Sequence, residues 1–491
     1  MTSEREGTGW HALLVEPRRP AWIRERPGAH WLVVITVCVG AFMGQLDASI
    51  VTVAFPTLQS DFHATLGSVE WVALSYLLVL VSTVTAIGRF ADMVGRKLLY
   101  TYGFAVFTLA SVACGLAPNL LTLDLCRVVQ AFGAAMLQAN SVALIATAMP
   151  ADKLGRGIGV QGAAQALGLA LGPTIGGLLV GLGGWRLIFF VNVPAGVIGL
   201  LLGWFLLPRS RHLQRRTPFD WWGLVAFIPA AGALLAALSL GRDLGFASFP
   251  VIGLFTLGAL GFVVFVTRER HTASPMVDLA LFRRVPFTAG IVSGLLSYAV
   301  LFGVLFVVPF LLERGFGEPT GTSGLVLTAL PAALGLTAPL AGRLADRLGA
   351  RPLTVTGMVL TAAGLLAAAM FHSGITVVAA ELALIGVGLG LFTSPNNAAI
   401  MSSAPRRQSG AAGGLLNMTR GIGTALGVAL TGLIFGLGAN TSAPSAGSSG
   451  NAVGGFVYAT ILLAALALLA AGFAAMRGRS VQSTDPALTL E

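Results

Sequence analysis

Ten residues decide the fold of this chain, because they occur twice. The stretch Gly88–Lys97 reads GRFADMVGRK, and residues 342–351 read GRLADRLGAR, 254 positions further on. Both copies lie in a short loop that follows two apolar runs. A tight turn explains Gly and Asp individually, since Gly permits close backbone approach and Asp caps helix starts. A bare turn does not require the same pattern twice, so the repeat predicts two related halves.

Long apolar runs surround both copies of the repeat. Of 491 residues, 55% are hydrophobic and 10% are charged, and the mean hydropathy is +0.84. Soluble domains carry about 25% charged residues, so a soluble enzyme, a nucleic-acid binder and a secreted disulfide scaffold are excluded. Apolar runs of about 18 residues or more indicate transmembrane helices. The sequence predicts fourteen, at about 31–58, 69–91, 98–117, 119–149, 154–183, 187–207, 220–241, 248–267, 285–312, 322–344, 353–371, 375–401, 408–436 and 456–476.

These runs predict an all-α polytopic membrane protein with two six-helix bundles and two inserted linker helices. Two parallel repeats of this kind are typical of transporters that rock about a central site. The predicted parts are a tail 1–30, an N-terminal bundle 31–207, a linker 208–284, a C-terminal bundle 285–476 and a tail 477–491.

The basic residues predict the orientation in the membrane. With both termini in the cytoplasm, 25 of the 30 Lys and Arg residues lie in cytoplasmic segments. Arg186, Arg242 and Arg314 lie on the other side, and Arg127 and Arg420 lie within spans. This split follows the positive-inside rule. Contact with anionic lipid headgroups therefore explains the net charge of +10 without a nucleic-acid partner.

Two opposite charges are predicted deep in the first bundle. At about 1.5 Å per residue, Asp47 lies roughly 24 Å from the cytoplasmic face and Arg127 roughly 10 Å below the outer face. In a hydrocarbon core about 30 Å thick these depths agree within several ångströms, so the two side chains are able to meet. They form either a proton-binding site that changes with conformation or a fixed structural ion pair; Arg127 bonded to backbone carbonyls is a further alternative.

Other polar residues in the apolar runs leave more than one interpretation open. Asp124 is expected to be a solvated loop carboxylate and Glu381 a rim residue, with a second proton site as the alternative for both. Seven further residues are candidates for a central cavity or for hydrogen bonds between helices: Gln130, Gln138, Gln161, Gln165, Asn396, Asn417 and Arg420.

The predicted span 154–183 carries Gly168, Gly172 and Gly176 at intervals of four residues, and therefore on one helical face. Small residues at this spacing let helices approach closely, and Pro173 predicts a bend. With the adjacent Gly177, this helix either seals the bundle interface against proton leakage or packs as an ordinary small-residue helix, and the two interpretations are compatible.

No pattern in the sequence indicates an enzyme or a metal site. The six His residues include no pair four positions apart, and the three Cys residues, all in apolar runs, show no CxxC spacing. No nucleophile–base constellation is recognisable.

The repeated stretch resembles the signature loop of the major facilitator superfamily. Fourteen helices with two inserted between the bundles resemble its drug:proton antiporter branch, although Ala131 stands where that branch usually has Gly. Further stretches resemble motifs of this branch: 46–56 (LDASIVTVAFP), 127–131 (RVVQA), 168–177 (GLALGPTIGG), 185–194 (WRLIFFVNVP), 219–223 (FDWWG) and 417–423 (NMTRGIG).

The resemblance implies a proton-coupled antiporter that exports amphiphilic organic compounds or drugs by alternating access. It implies a monomeric unit in the bacterial cytoplasmic membrane, driven by the proton gradient without a cofactor. Asp47 and Arg127 would couple protons to transport. Gating is expected from the repeated loop, through Gly88, Asp92, Gly95, Arg96 and Asp346.

The scarcity of acids in the predicted cavity favours neutral, zwitterionic or monocationic substrates. Export of a dedicated lipid or secondary metabolite by the same fold is the alternative. A channel or a receptor is the alternative of another class, although the repeat and the glycine motif have no evident role in a static pore.

Overall fold

The structure is a computed structural model that describes residues 16, 19–24, 28–150, 153–210, 220–272, 279–371, 374–403, 409–441 and 447–477. Within these ranges all regular secondary structure is helical, and fourteen helices are long and apolar enough to cross a membrane. The predicted all-α polytopic fold class is therefore confirmed. The predicted tails, 1–30 and 477–491, lie mostly outside the described residues.

We number the fourteen helices α1 to α14. They are Ala29–Asp61, Leu66–Val94, Arg96–Gly115, Leu120–Ala148, Leu154–Gly183, Asn192–Leu206, Trp221–Leu244, Phe249–His271, Val285–Phe310, Ala329–Leu348, Ala350–Phe371, Ile375–Ser403, Ser409–Thr441 and Gly447–Ala475. The short helices Leu187–Phe190 and Thr320–Leu327 lead into α6 and α10, and a π-helical turn, Leu311–Gly315, extends α9.

The two halves of the chain pack their helices in the same pattern. In the N-terminal bundle, α1–α6, helix α1 packs on α5, and α4 packs on α2 and α3. In the C-terminal bundle, α9–α14, the matching helix α9 packs on α13, and α12 packs on α10 and α11. Helices α7 and α8 pack on each other, and α7 also contacts α2 and α13. The fold is therefore two six-helix bundles with two added helices.

The repeated sequence makes the same turn in both halves. Gly95, with φ of 121°, separates α2 from α3, and Gly349, with φ of 82°, separates α10 from α11. Side chains disfavour these positive φ values, whereas Gly adopts them readily. The amide of each Gly donates to a carbonyl in the last turn of the preceding helix, at 2.9 Å. The second Gly of the repeat is thus required by backbone geometry.

The inserted helices α7 and α8 are joined at Asp220. Its carboxylate caps α7 by accepting from the amide of Gly223 at 3.1 Å, and it also accepts from Thr272 at 3.0 Å and from Arg268 at 3.2 Å. Burial raises the pKa of Asp220, but these hydrogen bonds outweigh burial and hold the pKa below its usual value.

The two ends of the bundles differ in charge. The loop that contains Arg96 lies at the end where α1 begins and α2 ends, together with most of the Lys and Arg residues in the described ranges. We call this end the basic face and the other end the opposite face.

Candidate transport site

A buried ion pair joins the two charges that the sequence placed at similar depths. Arg127 Nη1 on α4 lies 2.6 Å from Asp47 Oδ2 on α1, and the side chains are 1% and 0% exposed. The structure therefore brings together the predicted proton-coupling residues. A charged pair in the membrane interior is tolerated because each charge neutralises the other.

Amide side chains complete the surroundings of Asp47. Its other carboxylate oxygen, Oδ1, accepts from Gln130 Nε2 and from Asn192 Nδ2, both at 3.0 Å. Gln130 Nε2 also donates to Ser111 Oγ at 2.8 Å. Asn192 was missed by the sequence analysis, although it lies within the family-like stretch 185–194, as the first residue of α6. Three side-chain donors, from Arg127, Gln130 and Asn192, thus converge on the carboxyl group of Asp47.

Arg127 makes contacts that do not depend on Asp47. Its Nε donates to the carbonyl of Val72 at 2.9 Å, and its Nη1 also donates to Gln130 Oε1 at 2.7 Å. Its guanidinium lies 4.1 Å from the ring centroid of Tyr76, a cation–π distance. Arg127 therefore keeps partners when the charge of Asp47 changes.

The glycine face of α5 lies against α1, close to this pair. A side chain at Gly168 would collide with the carbonyl of Phe42, and one at Gly172 would collide with Ser49. At Gly176 a Cβ atom would lie 2.8 Å from the side chain of Ile50. Most of the glycine motif thus packs within one bundle and positions α1 around Asp47.

The end of the motif does reach the other bundle. A Cβ atom on Gly177 would lie 2.5 Å from the carbonyl oxygen of Thr320, and one on Gly324 would collide with the carbonyl of Pro173. Thr174 and Thr328 share a hydrogen bond at the same crossing. Helix α5 and the segment that leads into α10 are therefore in backbone contact near the opposite face.

Aromatic rings also close the opposite half of the interface between the bundles. The rings of Phe55 on α1 and Phe306 on α9 lie 5.3 Å apart, and both residues are fully buried. On α13, a Cβ atom at Gly432 would collide with the carboxylate of Glu70 on α2. The bundles are thus in close contact in the half of the molecule near the opposite face.

A cavity lies between the bundles in the half nearer the basic face. It contains about 810 Å³ of unfilled space, part of it open to solvent. The lining residues come from α1, α2, α4, α5, α9 and α13. They are Gly40, Ala41, Gly44, Gln45, Ala48, Tyr76, Leu77, Leu80, Val81, Val84, Ala134, Leu137, Gln138, Ser141, Gln165, Phe302, Asn417, Arg420, Gly421 and Thr424.

Tyr76 connects this cavity to the ion pair. One part of the residue lines the cavity, and its ring faces the guanidinium of Arg127. A molecule in the cavity that moved Tyr76 would therefore also change the contacts of Arg127.

The structure divides the seven predicted cavity residues into two groups. Gln138, Gln165, Asn417 and Arg420 line the cavity, and Gln138 Nε2 lies 3.5 Å from Asn417 Oδ1 across the two bundles. The other three bond within a bundle instead: Gln130 to the ion pair, Gln161 to Ser141, and Asn396 to Gly290, Ser293 and Arg477.

The remaining acids are more buried than expected. Glu381 was expected at a rim, yet α12 places it only 7% exposed at a small apolar gap, and neither carboxylate oxygen has a hydrogen-bond partner among the described residues. Asp124 was expected to be solvated, but it is half-buried in α4. Glu70, which the sequence analysis missed, is 1% exposed near the opposite face. Because Glu70 lies close to the start of α2, its position in the sequence resembles that of a loop residue.

The repeated loop near the basic face contains a salt bridge between two of the residues predicted to gate transport. Arg96 Nη2 lies 2.8 Å from Asp92 Oδ1, with both side chains partly exposed. Gly88 packs against α4, where a Cβ atom would lie 3.7 Å from the side chain of Ala139. The side chain of Asp346 lies outside the described part of the structure.

The loop also binds a residue of the N-terminal segment. The carboxylate of Glu16 is packed against Gly95. It accepts from the amide of Leu98 at 3.3 Å and from Ser210 Oγ at 2.8 Å. Glu16 lies in the predicted tail 1–30, and nothing in the sequence predicts this contact.

Two similar six-helix bundles, an open cavity between them and a buried charge pair beside it define the class of secondary transporters. The model of the Major Facilitator Superfamily matches residues 37–428 and 290–487. The chain belongs to the major facilitator superfamily, whose members are transporters and not enzymes.

Relatives in this family have several described substrates. The riboflavin transporter RibZ of Clostridioides difficile is 34% identical over 408 residues, which cover 82% of this chain and 88% of that protein. The multidrug resistance protein Stp of Mycobacterium tuberculosis is 35% identical, covering 82% and 75%. The tetracenomycin C resistance and export protein of Streptomyces glaucescens is 33% identical, covering 84% and 77%.

A solved structure has the same fold. The bacterial homologue of the human lysosomal transporter Spinster, in an inward-facing and unoccupied conformation, aligns with a TM-score of 0.66 and 16% identity. The alignment covers 92% of this chain and 97% of that one.

Proposed function

We propose that this protein exports amphiphilic organic compounds across the cytoplasmic membrane in exchange for protons. The basic face is the cytoplasmic face and both termini are cytoplasmic, in accordance with the positive-inside rule. The cavity then lies on the cytoplasmic side and the closed half of the interface lies outside. In this conformation the protein is ready to receive substrate from the cell.

The observation that carries the proposal is that Asp47 and Arg127 are buried beside the cavity. Tyr76 lies between Arg127 and the cavity. Asp47 is the proton site. The 2.6 Å pair with Arg127 is the state after the proton has been released to the cytoplasm. Substrate in the cavity contacts Tyr76, and the ring centroid of Tyr76 lies 4.1 Å from the guanidinium of Arg127.

The return step requires Asp47 to bind a proton from outside. When the outer half opens and Arg127 withdraws from the pair, the carboxylate becomes a poorly solvated anion, and proton binding neutralises it. Arg127 then remains on the carbonyl of Val72 and on Gln130. The proton gradient drives export because the two forms of Asp47 are stable in different conformations.

The decisive experiment measures proton movement in proteoliposomes that contain the full-length protein and an internal pH-sensitive dye. Ethidium, fluorescein methyl ester and riboflavin are the substrates tested. Asp47→Asn keeps the size and a carbonyl oxygen, and it should abolish substrate-dependent proton movement. Asp61→Asn, on the same helix, is the matched control and should behave as wild type.

Two results would contradict the proposal in different ways. Proton movement that survives in Asp47→Asn places the coupling acid elsewhere, with Glu381 and Asp124 the next to be tested. Substrate flux without proton movement in the wild type indicates a facilitator.

The described function of one relative supports a second candidate. RibZ is named a riboflavin transporter, so this chain is also a candidate carrier of a planar metabolite, with drug resistance incidental. Transport of riboflavin, without transport of ethidium or fluorescein methyl ester, would favour this alternative.

A further inference from the structure

Arg420 lies half-buried in the cavity wall without an anion of its own. Asp47 neutralises Arg127, whereas no carboxylate in the described ranges forms a salt bridge with Arg420. Among the described residues, Arg420 is the one charged residue that lines the cavity, and no described acid lines it. A cation within a membrane protein is costly, and an anionic group bound in the cavity would lower that cost.

The surroundings of Arg420 hold its guanidinium in the cavity wall. It lies 5.3 Å from the ring centroid of Tyr298, within cation–π distance. The hydroxyl of Thr424 donates to the backbone carbonyl of Arg420 at 2.9 Å, and this hydrogen bond does not involve the guanidinium group. Asn417, one turn earlier, is directed across the cavity towards Gln138. The five N–H donors of an Arg favour bidentate binding of carboxylates and other oxyanions.

The rest of the lining suits the apolar body of an amphiphile. Leu77, Leu80 and Val84 of α2 line the cavity together with Leu137 and Phe302. One cation in an otherwise neutral, largely apolar wall matches a molecule with one anionic end and an aromatic or aliphatic body.

We propose that Arg420 is the subsite for the anionic group of the substrate, so that the cavity binds monoanionic amphiphiles more tightly than cationic ones. The relevant groups are carboxylates and phenolates. This inference rests on the proposed function, because it takes the cavity as the substrate site. It replaces the expectation from the sequence that neutral, zwitterionic or monocationic compounds would suit the cavity.

The test is equilibrium binding of two dyes that differ mainly in charge. Fluorescein methyl ester is an anion above neutral pH, and tetramethylrhodamine methyl ester is a cation with the same fused ring system. Binding to the full-length protein in lipid nanodiscs is followed by fluorescence anisotropy at pH 8. The wild type should bind the anion about ten-fold or more tightly than the cation, as expected for a charge-assisted bidentate contact.

Variants of Arg420 separate its charge from its structural role. Arg420→Gln should weaken binding of the anionic dye about 10- to 100-fold and leave binding of the cationic dye unchanged or stronger. Arg420→Lys, which keeps the charge and loses the bidentate geometry, should retain part of the preference. Arg343→Gln is the control, because Arg343 is exposed on α10 and does not line the cavity.

The proposal is overturned if the wild type binds the cation as well as the anion, if it binds neither dye, or if Arg420→Gln weakens both equally. Should Arg420→Gln fail to fold, equal affinity of Arg420→Lys for the two dyes overturns it as well. Binding is measured without a gradient, so the result does not depend on proton coupling. Failure of coupling at Asp47 and failure of anion recognition at Arg420 are therefore distinguishable.

Discussion

The ion pair of Asp47 and Arg127 predicts a specific pattern of stability in a double-mutant cycle. Removing one partner of a buried pair leaves the other charge uncompensated, at a cost of about 3–5 kcal/mol. Asp47→Asn and Arg127→Gln should each lower the free energy of unfolding by about this amount. The double variant leaves only neutral amides, and we expect it to lie within about 2 kcal/mol of the wild type.

The two single variants should differ in their response to pH. Asp47→Asn leaves a guanidinium that does not lose its proton in proteins, so its cost should not change between pH 8 and pH 5. Arg127→Gln leaves a carboxylate with two amide donors, from Gln130 and Asn192. This carboxylate is able to bind a proton, so the cost of Arg127→Gln should decrease as the pH is lowered.

The assay is SDS-induced unfolding of the purified protein in mixed micelles, followed by tryptophan fluorescence. Asp61→Asn is the control on α1, and it should change the free energy by less than about 1 kcal/mol. Costs that simply add in the double variant would refute the direct pairing of Asp47 and Arg127. A pH-independent cost of Arg127→Gln would refute the idea that Asp47 takes up a proton when Arg127 is withdrawn.

Three further predictions concern closure, the repeated loop and the linker. Gly177→Val overpacks the crossing of the bundles. Labelling, from outside, of the cysteine introduced by Phe55→Cys should therefore rise about five-fold or more. Gly181→Val is the control, because Gly181 has open space around it, and it should not raise the labelling. Asp92→Asn breaks the 2.8 Å salt bridge of the loop and should slow dye transport without reducing the yield of folded protein; an unchanged rate contradicts a latch. Asp220→Asn keeps an oxygen that caps α7 but loses the ion pair with Arg268, and it should cost about 1 kcal/mol at pH 7. This difference should vanish as the pH falls below about 3.9, through the lowered pKa of the carboxylate, and its persistence in acid would exclude the carboxylate charge as its cause.

The fold and the ion pair were predictable because their signals are local and costly. Apolar runs of membrane length admit few alternatives to helices, and the repeat with its turn Gly at 95 and 349 marks equivalent places in two halves. Asp47 and Arg127 were recognisable because an isolated charge at that depth is expensive, and their positions along the helices gave similar depths.

The division of polar residues between cavity and packing was not predictable. Gln130 and Gln138 lie on the same helix, eight residues apart, yet one bonds to the ion pair and the other lines the cavity. Which of them faces the cavity depends on the rotation and crossing angle of α4, which are set by contacts with other helices. The burial of Glu381 likewise results from the packing of α12 against α9, α11 and α14, and the sequence around Glu381 does not reveal this packing.

The proposed roles of Asp47 and Arg420 together predict how strongly membrane potential contributes to transport. One proton entering in exchange for one monoanion leaving carries two charges inward, whereas exchange for a monocation carries none. At about 2.3 kcal/mol per charge per 100 mV, export of a monoanion gains about 4.6 kcal/mol from an inside-negative potential of 100 mV. In proteoliposomes, a potassium diffusion potential set with valinomycin should therefore accelerate protein-dependent export of fluorescein methyl ester and leave protein-dependent export of tetramethylrhodamine methyl ester unchanged, with passive movement in protein-free liposomes subtracted. An equal response of the two dyes would mean that the proton and the anion do not exchange one for one.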